Sequence, residues 1–174
     1  MPQALIEALS RDVNILVALP QKQTPLSTFA VEFSLILPPP GSPLISYFPE
    51  RQEGSTIIPV SPPNEHPILT NGLQPVWFTG APHALASNPL LIPILRAPPQ
   101  SFAGELDSSA DVLVDAAEKG GEGLWAGSQL GIVTGFQALN NARVAFVGGA
   151  ELFSDNFAQK EVGPYVAVMT SWRL

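Results

Sequence analysis

"LGIVTGFQALNNARVAFVGGAELFSDNF", residues 130–157, holds the clearest alternation of structural signals in the chain. Leu130, Val133 and Phe136 recur at helical spacing and predict a helix, the longest of the chain. Asn140 and Asn141 tolerate the left-handed backbone that ends helices. Val144 to Val147 then run apolar on consecutive positions, which suits a strand covered on both faces. Gly148 and Gly149 allow a tight exit, and Ser154 or Asp155 is placed to cap a helix starting near Asn156. Helix, buried strand, turn and helix together predict an α/β fold.

The amino-terminal region repeats the pattern. Residues 2–10 place Leu5, Ile6 and Leu9 at helical spacing, and Val13 to Leu19, apolar but for Asn14, form a second run of strand length. "STFAVEFSLILPPPGSPLISYF" predicts a short helix and a brief strand cut off by Pro38, Pro39 and Pro40, none of which can donate a backbone hydrogen bond. "STIIPV" and "PVWFTG" read as strands between turns, and Pro93 inside "NPLLIPILRAPPQSF" predicts an edge strand or a non-sheet segment. The proline clusters act as rigid spacers, since polyproline ligands sit in exposed tails rather than between apolar runs.

Composition narrows the function classes. The chain has 174 residues, 45% of them hydrophobic, enough for one domain with a buried core. Charged residues make up 13%, and 19 prolines disfavour a long helical bundle. A net charge of -7, with eight scattered Lys and Arg, argues against nucleic-acid binding. Cysteine is absent, which removes disulfides and thiolate sites without fixing a compartment. No window approaches a membrane span or a signal-peptide core.

Each candidate for chemistry meets a physical objection. Gly121, Gly123 and Gly127 precede the predicted helix like a dinucleotide loop, but no buried strand leads directly into them. Gly148 and Gly149 can form an anion nest, which Glu151 and Asp155 would oppose. A hydrolase would need Ser154 and Asp155 beside His66 or His83, yet Ser154 lacks a nucleophile elbow and both histidines sit next to prolines in loops. Asp107, Asp111 and Asp115 fall four apart and read as a solvated acidic face. No metal ligand set or cofactor site emerges. Trp77 reads as core packing; Trp125, in a glycine-rich loop, is the better interface candidate.

Gln137, Ala138, Asn140, Asn141, Ala142, Arg143, Val144, Gly148, Phe153, Ser154, Asp155 and Phe157 fall in an order that resembles a known family. It is that of the non-catalytic oligosaccharyltransferase subunit with a GIFT-like lumenal domain, the family of the yeast wheat-germ-agglutinin-binding protein. "VNILVALP", "LISYF", "PVWFTGAPHAL" and "NPLLIPILRAPPQSF" are similar to its successive segments, so the resemblance covers nearly the whole chain.

The resemblance implies a partial flavodoxin- or Rossmann-like (GIFT-like) sheet with flanking helices and Pro-rich loops. It implies an accessory role in N-linked glycosylation, with the catalytic residues in another subunit. The implied setting is the lumenal side of the endoplasmic reticulum membrane, with other oligosaccharyltransferase subunits as partners. Gln137, Asn140, Asn141, Arg143, Gly148, Phe153, Ser154, Asp155 and Phe157 are then structural signature residues, and Trp125 an interface residue.

The family also has further βα units upstream and a β-rich domain and transmembrane helix downstream. Residues 1–174 are therefore expected to be one domain, a fragment of the lumenal part. Gly149 stands where the family usually has serine. Two other readings stay open: a nucleotide- or sugar-binding α/β module built on the Gly121–Gly127 loop, and a serine hydrolase.

Overall fold

Residues 3–48, 53–62, 75–86, 88–104 and 125–154 are described by the structure, a computed structural model. Helix α1 (Gln3–Ser10) stops where Asp12 turns left-handed, with φ of 58°, and Val13 N–H donates to Ala8 O at 3.2 Å. Strand β1 (Ile15–Ala18) follows. Helix α2 (Pro25–Glu32) starts on a proline, whose missing N–H is harmless there, and Thr24 N–H donates to Ser27 Oγ at 3.2 Å. Both helices and β1 lie where the apolar spacing places them.

From there the chain is built of short strands. These are β2 (Leu35–Ile36), β3 (Leu44–Phe48), β4 (Glu53–Ser55), β5 (Ile58–Val60) and β6 (Val76–Phe78). Then come β7 (Ala84–Leu85), β8 (Leu91–Arg96), β9 (Ser101–Ala103), β10 (Trp125–Ala126), β11 (Gly131–Gln137) and β12 (Arg143–Val147). The central sheet has the order β1-β12-β11-β8. Its β1–β12 pair is parallel, while β12–β11 and β11–β8 are antiparallel. A second antiparallel sheet runs β10-β9-β3-β4, and two ribbons pair β2 with β7 and β5 with β6.

The α/β class therefore holds, and among the described residues the central sheet is mixed, with one parallel and two antiparallel pairs. Pro93 lies in β8, an edge strand of the central sheet, as its missing N–H requires.

The helix expected from Leu130 to Asn141 is instead β11 and the turn of a hairpin. Ile132, Val133 and Phe136 suit a strand, whereas Gly131 and Gly135 in a helix would each cost about 1 kcal/mol relative to alanine. β11 lies between β12 and β8, and five of its seven residues are buried, from Gly131 to Gly135. Burial on both faces removes the alternation that normally betrays a strand. Asn141 does adopt the left-handed conformation, φ 64°, but within the hairpin turn, where Ala138 N–H donates to Ala142 O at 2.8 Å.

Strand β12 divides two cores. Val144 and Phe146 face α2, packing with Val17, Phe29 and Leu35. Phe33 meets Phe136 edge-on at 4.8 Å and Phe146 at 5.4 Å, contacts worth about 0.5–1.5 kcal/mol each beyond their area. Val147 faces the other way, into a core with Ile58, Phe78, Ile94 and Leu130. A register shift opposite β8 at Gly131–Thr134 lets both Ile132 and Val133 join this second core. Trp77 is half-buried on the opposite face of β6 from Val76 and Phe78, rather than in the core.

Candidate functional site

Three features meet near the carboxyl end of the parallel pair β1–β12. The first is a backbone crossing. Leu19 N–H donates to Val147 O at 2.7 Å, Gly148 N–H to Ile132 O at 2.9 Å and Ala81 N–H to Gly148 O at 2.8 Å. A Cβ on Gly148 would collide with Ala81 O, and one on Gly80 with Gly148 O. A Cβ on Gly149 would lie 2.7 Å from Thr79 O. These glycines allow two backbones to touch. The anion nest weighed for Gly148 and Gly149 is therefore not available at Gly148, whose N–H is already bonded.

The second feature is a sealed histidine. His83 and Thr134 are both fully buried, and His83 Nε2 lies 2.7 Å from Thr134 Oγ1. His83 exchanges backbone hydrogen bonds with Gly131, which lacks a side chain because a Cβ would sit 2.8 Å from Nε2. Among the described residues Nδ1 has no partner. A proton on Nε2, donated to Thr134, leaves only a bare lone pair stranded, a smaller penalty than a stranded N–H. Burial pushes the imidazole pKa down from 6.5 to about 3, so the ring is neutral near pH 7. A general base needs reach to a substrate proton, and this ring has none.

The third is an open groove of about 790 Å³ between α2 and β2, bounded by Leu19, Lys22, Val31, Ile36, Pro39 and Pro82. Its walls are largely apolar, and Lys22 is the one ionisable residue on its described lining.

The signature residues lie on the β11–β12 hairpin and beyond it. Gln137 Nε2 donates to Asn141 Oδ1 at 3.1 Å, and Asn140 Oδ1 accepts from Ala142 N–H at 3.3 Å. Asn140 Nδ2 reaches Leu9 O at 2.8 Å, fastening the turn to the end of α1. Arg143 N–H donates to Asn14 Oδ1 at 3.2 Å, which ties β12 to the loop before β1. Phe153 is 43% exposed on a 3-10 turn, Ala150–Phe153, that Ser154 ends by donating its N–H to Glu151 O at 3.0 Å. Ser154 thus closes a turn.

The hydrolase triad is not assembled at the residues that are described. Ser154 Oγ has no hydrogen-bond partner among them, while His83 is bonded to Thr134. His66, Asp107, Asp111, Asp115, Gly121, Gly123, Asp155, Phe157 and the predicted helix near Asn156 lie outside the described residues. Trp125 is on β10, paired with Ala103, and Gly127 begins a 3-10 turn with φ of 77°. Among the described residues no group of His, Asp and Glu is placed to hold a metal ion, and no helix is long and apolar enough to cross a membrane.

A family model described as OST48, N-terminal domain, matches residues 1–169. The chain belongs to the OST48 N-terminal domain family. It is 25% identical over 162 residues to the dolichyl-diphosphooligosaccharide–protein glycosyltransferase subunit wbp1 of Schizosaccharomyces pombe. The match covers 90% of this chain and 35% of the relative, so the chain spans about a third of that protein's length.

His83–Thr134, the Gly80–Gly148 crossing and the Asn14–Arg143 bond were not foreseen from sequence. Each joins residues distant along the chain, 51 positions apart for His83 and Thr134. Only the glycines left a local mark, as small residues at strand ends.

Proposed function

We propose that this chain is part of an accessory, non-catalytic subunit of the oligosaccharyltransferase complex on the lumenal side of the endoplasmic reticulum membrane. In this role it supports transfer of a preassembled oligosaccharide from dolichyl diphosphate to Asn in Asn-x-Ser/Thr sequons, beside other subunits of the complex. The observation that carries the reading is the family match over residues 1–169. Residues 1–174 form, on this reading, one piece of the lumenal domain.

The site geometry supports a scaffold. The hairpin residues Gln137, Asn140 and Asn141 bond to one another and to the neighbouring backbone, and His83 is sealed and neutral. Exchanging the matching segment of S. pombe wbp1 for this chain tests the proposal. Sequon occupancy on a reporter glycoprotein is expected to stay close to that of unaltered cells. Loss of occupancy with the exchanged protein stably present would contradict it.

A further inference from the structure

We draw no further inference here: the strongest candidate, the edge of β1 left open among the described residues of the central sheet, where Leu16 is 41% exposed, carries nothing because nothing in the structure shows what covers it.

Discussion

His83 Nε2 sits 2.7 Å from Thr134 Oγ1, with both side chains removed from solvent and Gly131 leaving the space the ring fills. Its pKa is depressed from 6.5 to about 3 by burial, so the folded protein keeps the ring neutral while the unfolded chain binds a proton below 6.5. The unfolded state therefore holds more protons between those two values, and stability falls as pH drops through that window. The loss reaches about 2 kcal/mol by roughly pH 5. Urea denaturation at about pH 7.5 and pH 5 measures it, and His83→Gln is expected to flatten that part of the profile. An unchanged slope in the variant would show that other groups govern the acid sensitivity.

The contact of Gly148 with Ala81 predicts a steric penalty at the end of β12. Gly148→Ala forces a methyl group against Ala81 O, and the crossing of residues 79–81 over 148–149 has to open. A loss of about 2 kcal/mol or more in chemical denaturation is expected. Gly149→Ser places its Cβ 2.7 Å from Thr79 O and 3.2 Å from Gly80 Cα. It is expected to destabilise this chain by about 1–3 kcal/mol. Full stability in both variants would refute the packing explanation of these glycines.

Asn141 and Asn140 separate two contributions to one turn. Asn141 has φ of 64°, so Asn141→Gly is expected to be nearly neutral, whereas Asn141→Val puts a β-branched residue in the left-handed region at about 1–2 kcal/mol. Asn140→Ala removes the bond to Leu9 O and the one from Ala142 N–H, with a loss of about 1 kcal/mol. Hydrogen exchange at Arg11 N–H, which donates to Ala8 O, reports whether α1 loosens when Asn140 lets go. Unchanged exchange there would mean that the hairpin does not hold the helix.

Much of the fold was legible because its signals are local. Val144 to Val147 is a continuous apolar run, Val13 to Leu19 is apolar but for Asn14, and both hold strands of the central sheet. Pro93 limited its segment to an edge strand or a stretch outside a sheet because a missing N–H needs no knowledge of the partner strand, and the structure has the edge strand. The segment 130–137 misled because its strand is buried on both faces, so Leu130, Val133 and Phe136 satisfied a helical period by coincidence. What decided it was pairing with β8, whose residues precede it by more than thirty positions. Asn140–Asn141 was recognised as a stop, but the same residues end helices and turn hairpins. The candidate site divides the same way. Gln137, Asn140 and Asn141 stand close together in sequence and their bonds within the turn are local, while the sealed His83–Thr134 pair arises from a contact across the sheet.

The most direct measurement is recovery of the protein from its native cells in mild detergent, through an affinity tag, with the associated polypeptides identified by mass spectrometry. The account predicts that the catalytic oligosaccharyltransferase subunit co-isolates in near-equal amount. Recovery of the intact, folded protein free of every oligosaccharyltransferase subunit would contradict it.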